Sequence, residues 1–368
     1  MKVDIHTHLL PKEWPALKGI EMEIHPIKGD HGPDDFVARL LWKDGRLYRN
    51  VKANCLDADV VLSECDQFGV DVQVVCTVPV LFNYHLSPTT GMEWAKFLND
   101  DLGSTVNKRK DRMACFGTLP MQCPEEAVKE MKRCVLDLGM RGFQIGSHIN
   151  AYNSKTGIEN VMLSDKRYMP IWETAKDLGV GIFVHPWNME WCDSKYWLPW
   201  LVGMPAESSL AVCSVLLGGV IDKVPGIKMM FAHSAGSFPS ALGRVDWGYR
   251  SRPDLVAMDC KKSPSQYIRD GAIYIDSICH DKVMLKYLVD LFGADRIAMG
   301  SDYPFPLGEV PSVAPVTNEV LTAYPGELIE TSEDFDDEIK EKLLCSTALD
   351  FLGMKKTDFE CSMKKRAK

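Results

Sequence analysis

The stretch Val3-Asp4-Ile5-His6-Thr7-His8 reads as one short, mostly apolar strand. It also carries two histidines two residues apart. Side chains at i and i+2 of a strand point the same way, so both imidazoles face one place. Seven more runs of the same kind follow. They are Asp71–Pro79, Met113–Pro120, Gly142–Ile149, Gly179–Pro186, Ile227–His233, Ala272–Ile278 and Arg296–Asp302. Each is short and closed by Gly, Pro or a small polar residue, as a strand buried on both faces should be.

Helical patterns separate the runs: Met92–Asn107, Pro124–Leu138, Lys166–Leu178, Ala206–Val224, Lys282–Phe292 and Asp336–Leu352. In the second, Val128, Met131, Val135 and Leu138 recur at helical spacing. Gly139, Gly179 and Gly293 stand where helices stop. Eight strands alternating with helices predict an α/β chain folded as a (β/α)8 TIM barrel. A doubly wound open sheet gives the same alternation. No G-x-G-x-x-G follows the first strand, however, and chemistry-bearing residues end several different strands. The chain is therefore expected to be a single domain over 1–368. It carries a polar insertion over about 11–57, with a turn at Lys43-Asp44-Gly45, folded over the barrel mouth. A second irregular segment, 310–325, reads as a loop.

The strand ends hold the chemistry. Besides His6 and His8, His185 ends the fifth run, His233 the sixth and Asp302 the eighth. A barrel brings all C-terminal strand ends to one face. A single strand-end histidine is more often a hydrogen-bonded core residue, but five such groups meeting in one cavity suit a metal. Three neutral imidazoles and a carboxylate form a donor set for zinc, with a position left for water.

Composition narrows the function. The 368 residues are 46% hydrophobic and 25% charged, enough for a full core, with a net charge of -9. An acidic chain gains nothing from a polyanion, which argues against nucleic acid. The 12 cysteines form no C-x-x-C pair and read as buried thiols in a reducing compartment. Met1–His6 lacks the apolar core of a secretory signal. The longest apolar run, around Leu210–Ile221, is shorter than a membrane span of roughly 20 residues. A cytosolic protein without membrane attachment is the expectation.

The histidine and aspartate pattern resembles the amidohydrolase superfamily of metal-dependent barrels. Within it, five stretches resemble the decarboxylases of 2-amino-3-carboxymuconate-6-semialdehyde: DIHTHLLPKEWP (4–15), TVPVLF (77–82), GTLPMQCPEEAVKEMKRCV (117–135), KYWLPWLVGMPAE (195–207) and SDYPFPLGE (301–309). The resemblance covers nearly the whole chain. It implies non-oxidative decarboxylation in tryptophan breakdown through kynurenine, diverting flux from quinolinate. It implies one zinc per subunit on His6, His8, His185 and Asp302, with His233 activating a zinc-bound water. Strand four reads Gln144-Ile145-Gly146, without a lysine to bridge a second metal. For the small dicarboxylate substrate the resemblance implies Arg49, Lys43, Trp200 and Phe305, and Arg244 and Arg252 from a neighbouring subunit of a homodimer.

Three departures stand out. His233-Ser234-Ala235-Gly236-Ser237 replaces a glycine-rich run, Asn188 replaces an aspartate, and the 310–325 loop is long. A related decarboxylase of aromatic acids, a barrel hydrolase and a catalytically silent barrel are the competing readings. A silent barrel has no use for the five convergent groups.

Overall fold

The computed structural model describes residues 1–27, 35–153, 157–310, 312–313, 320–321 and 323–359. Residues 28–34 of the insertion and half of the 310–325 loop therefore lie outside the described residues. Strand β1 (Val3–His8) opens the main sheet. A three-stranded antiparallel sheet of β2 (Met22–Pro26), β3 (Phe36–Trp42) and β4 (Leu47–Lys52) follows. The main sheet resumes with β5 (Val72–Cys76), β6 (Met113–Thr118) and β7 (Gly142–Gly146). After an antiparallel pair, β8 (His148–Asn153) and β9 (Gly157–Met162), it continues with β10 (Gly181–His185), β11 (Met229–Phe231), β12 (Tyr274–Asp276) and β13 (Ile297–Ala298). A short pair, β14 (Ser312–Val313) and β15 (Val320–Leu321), completes the list of strands.

The eight main strands run parallel in the order β1-β5-β6-β7-β10-β11-β12-β13. The last meets the first. Ile5 N–H donates to the Met299 carbonyl at 2.9 Å, Asp302 N–H to that of His6 at 2.9 Å, and His8 N–H to that of Tyr303 at 2.8 Å. These bonds, made just past β13, bring the sheet to a nearly closed barrel. All eight strands fall inside the runs read from the sequence.

Helices cover the barrel, and their starts follow the sequence. Ser87 and Asp281 accept backbone N–H bonds at the heads of Pro88–Asn107 and Lys282–Phe292. Pro124 and Met131 place the helix Pro124–Leu136 against the core, where Met131 is fully buried. At the N-terminal end of the barrel Phe351 forms a plug, its ring 5.3 Å from Tyr274 and 6.0 Å from Phe116. A side chain at Gly181 would bring its Cβ within 2.4 Å of that ring, so only glycine fits there.

Two expectations need correction. Helix Phe238–Ser251 was not expected from the pattern, whereas helix Ala58–Phe68 begins where the insertion was read to end. The segment around 195–217 is also longer than its apolar run suggests, because three helical pieces join into 23 residues, Lys195–Leu217. Among the described residues it is one helix long and apolar enough to cross a membrane by length and composition. Its inner face packs into the core through Ala211, Val212, Val215 and Leu216. Its outer face leaves Tyr196, Leu201, Val202 and Leu210 exposed.

Candidate metal and substrate site

At the C-terminal ends of the strands, the imidazoles of His6, His8 and His185 meet tip to tip. Nε2 of His6 lies 3.2 Å from Nε2 of His8 and 3.1 Å from Nε2 of His185. Oδ1 of Asp302 is 3.1 Å from Nε2 of His8 and 3.5 Å from Nε2 of His6. All four residues are buried.

The far nitrogens fix the protons. Nδ1–H of His6 donates to Oδ2 of Asp276 at 2.7 Å, that of His8 to the Thr77 carbonyl at 3.0 Å, and that of His185 to the Pro186 carbonyl at 2.6 Å. Those acceptors have no proton to give, so each ring spends its single N–H on the far side. Three bare Nε2 lone pairs and a carboxylate oxygen then crowd together, and His233 also lies within 4.8 Å of the ligand atoms of His6, His185 and Asp302. Burial, the largest cause, drives His6 below the usual histidine range and His185 well below it. Protonated rings do not resolve the crowding. A cation does, and these donors fit one.

His233 differs. Its Nε2 is 3.6 Å from Oδ2 of Asp302, and its buried Nδ1 has no partner among the described residues. Burial acts against its charged form, but the nearby Asp302 carboxylate and the charge of Asp276 outweigh that and raise its pKa. Asp302 is held well below the usual carboxylate range. Burial opposes this, and His233, His8 and His6 overcome it. His233 is thus the imidazole without a fixed tautomer, the state a proton carrier needs. Its backbone is left-handed, as are those of Ser234 and Ala235 (φ 54, 55 and 63). Ser234 sits where a glycine would be at ease. Its N–H and hydroxyl donate to Oδ1 and the carbonyl of Asp276, at 2.8 and 3.1 Å, which offsets that strain.

A cavity of about 750 Å³ opens over the cluster. Arg49 on β4 lines it, with its guanidinium 4.5 Å over the ring of Phe305. Phe305 in turn lies 5.3 Å from the ring of His8. Among the described residues Arg49 has no carboxylate partner, so the charge is free for a ligand. Trp200, Trp187 and Met189 add apolar wall. Lys43, Arg244 and Arg252 are exposed and outside this lining, and Arg252 pairs with Asp254 at 2.7 Å. Within one chain, then, the structure joins Arg49, Trp200 and Phe305 to the histidine cluster and leaves the other three cations apart.

Residues not singled out from the sequence support the cluster. Asp276 ends the seventh strand and holds His6. The strand-end rule that picked out His185 and Asp302 would have found it. Glu207 is buried, and its Oε2 accepts the Ser147 hydroxyl at 2.9 Å and the N–H groups of Trp187 and Asn188 at 3.0 and 3.4 Å. It fixes the loop after His185, and no pattern announced it. At Gly300 an added Cβ would stand 2.8 Å from that of His6 and 3.1 Å from that of Asp276.

Known proteins resemble this chain. Residues 3–354 match the Amidohydrolase family. The chain is 41% identical over 356 residues to a 2-amino-3-carboxymuconate-6-semialdehyde decarboxylase of Dictyostelium discoideum, covering 96% of this chain and 92% of that one. It is 34% identical to a Caenorhabditis elegans protein of the same name, over 96% and 94%. Metarhizium anisopliae IDCase in apo form shares the fold, with TM-score 0.75 and 22% identity over 96% and 97%. So does a dihydroxybenzoic acid decarboxylase of Polaromonas sp. JS666 with bound manganese, with TM-score 0.71 and 20% identity over 96% and 97%. The matched span takes in β1 and Asp302 alike, and the chain belongs to the amidohydrolase family.

Proposed function

We propose that the chain decarboxylates 2-amino-3-carboxymuconate-6-semialdehyde to 2-aminomuconate-6-semialdehyde without oxidation, with one zinc ion on His6, His8, His185 and Asp302. The likeness to two relatives of that name over 96% of the chain carries this reading. Three imidazoles and a carboxylate suit zinc, and the manganese of the Polaromonas structure makes that ion the competitor. When bound, the metal supplies a Lewis acid that lowers the pKa of water.

The chain's own residues do the rest. Arg49 binds a substrate carboxylate through two parallel N–H donors, and Phe305 stacks beneath to hold the guanidinium flat. Trp200 closes the apolar side. The C–C bond to the departing carboxylate breaks, carbon dioxide leaves, and a proton takes its place on carbon. His233 moves that proton at Nε2, with Asp302 beside it to stabilise the charged ring.

The active form is a homodimer in the cytosol, in the kynurenine branch of tryptophan breakdown. The exposed apolar face around Tyr196, Leu201 and Val202 supports a second copy, whose cavity the exposed Arg244 and Arg252 would serve, the latter on leaving Asp254. The described cysteines are all free thiols, consistent with a reducing compartment.

The test is carbon dioxide release by the zinc-loaded protein, with enzyme-free controls because the substrate cyclises unaided. Fast release that vanishes in His233→Ala is the expected result. A folded, metal-replete protein that releases none from this substrate, but does so from a dihydroxybenzoate, would make it an aromatic-acid decarboxylase.

A further inference from the structure

Asp276 is fully buried, and its carboxylate accepts four hydrogen bonds from two parts of the site. Oδ2 takes Nδ1–H of His6 at 2.7 Å and the backbone N–H of His233 at 2.9 Å. Oδ1 takes the N–H of Ser234 at 2.8 Å and that of Ile278 at 3.2 Å. The first bond fixes which nitrogen of His6 is bare. The second and third secure a turn of three consecutive left-handed residues other than glycine, a conformation that persists only when its surroundings hold it. Gly300 leaves the room in which the carboxylate and the His6 ring meet.

We propose that Asp276 is a positioning residue that couples metal retention at His6 to the placement of His233. The inference rests on the roles given above to those two histidines. Its logic is geometric. An amide in place of the carboxylate has one oxygen and one NH2. If the NH2 faces His6, it forces that ring's proton onto Nε2, where the metal must bind, and deprives His233 N–H of an acceptor. If it is flipped, the NH2 confronts the N–H groups of Ser234 and Ile278. In either orientation the turn loses a bond, and His6 loses its charged partner.

The experiment compares the zinc-loaded protein with Asp276→Asn by three readouts. In competition with a chelator, zinc retention falls 10–100-fold, the range seen when such partners of metal ligands are lost. Backbone amide exchange in the peptide carrying His233 and Ser234 speeds up at least 10-fold, while that of Pro124–Leu136 is unchanged. At saturating zinc, kcat still falls at least 10-fold with KM unchanged. Unchanged zinc retention or unchanged exchange in a folded variant overturns the proposal. So does full recovery of kcat on adding zinc, because Asp276 would then serve His6 alone. If the variant does not fold, 15N spectra of the imidazoles in the unsubstituted protein decide the matter: His6 protonated at Nδ1 supports the proposal, and protonated at Nε2 overturns it. The first two readouts need no substrate. A protein that releases no carbon dioxide therefore refutes the proposed reaction and leaves the test of Asp276 intact.

Discussion

Among the site's imidazoles, His233 alone has no committed N–H, and its removal should be correspondingly specific. His233→Ala should lower kcat about 10²–10⁴-fold, the usual worth of a positioned acid–base group. Zinc content and melting temperature should stay put, as metal analysis and calorimetry would show. Glu309 is a residue of the opposite kind. It is buried, with Oε2 accepting Gly326 N–H at 2.8 Å. Burial, reinforced by the charges of Asp4 and Asp276, raises its pKa from 4.5 to about 8. The folded state therefore keeps a proton that the unfolded chain releases. Stability from this group is full below pH 4.5 and falls as pH rises towards 8, by up to about 1.4 kcal/mol per unit. Denaturant titrations at pH 5 and 8 should show Glu309→Gln losing less stability over that interval than the unsubstituted protein. An equal loss would mean the carboxyl is ionised throughout.

Individual elements differed in how openly the sequence announced them. The barrel strands were legible because burial on both faces demands continuous apolar runs, and Gly or Pro cut each run short. The same alternation exposed His6, His8, His185, His233 and Asp302. Phe238–Ser251 was not legible. Gly243 and Gly248 weaken its helical signal, and packing against the barrel supplies what propensity lacks. The π-helical turn Lys342–Ser346 inside the last helical stretch left no trace either. In the insertion a turn was readable at Lys43-Asp44-Gly45, where Gly45 N–H reaches the Trp42 carbonyl at 2.8 Å and Gly45 has φ 85. Strand β2 was not, because no short turn links it to its partners on β3, 12 to 20 residues away. This small sheet carries Arg49, so its contribution is separable from the barrel's. Arg49→Lys should raise KM at least 10-fold, since an ammonium cannot bind a carboxylate with two parallel bonds or lie flat on Phe305. Steady-state kinetics with unchanged zinc content would establish this, and an unchanged KM would remove Arg49 from the substrate site.

For the whole molecule, the cavity and the apolar outer face belong to one question. Arg244 and Arg252 lie outside the cavity of their own chain, so a second copy is needed if they act on substrate. Sedimentation should show a dimer, and dilution below its dissociation constant should abolish specific activity. A monomer with full activity would leave those arginines no part in the reaction. Gly300→Ala tests the barrel's closure from inside, because the added methyl has nowhere to go between His6 and Asp276. Zinc content should drop at least 10-fold while the far-ultraviolet circular dichroism is retained. The closure also bears on the protein's synthesis. His6 precedes its partners Asp276 and Asp302 by 270 and 296 residues in the chain, so it leaves the ribosome well before them. The seam that joins β1 to β13 therefore makes metal capture a late event, and a truncated or stalled chain is born without it. An ion held there would certify that translation ran past the final strand.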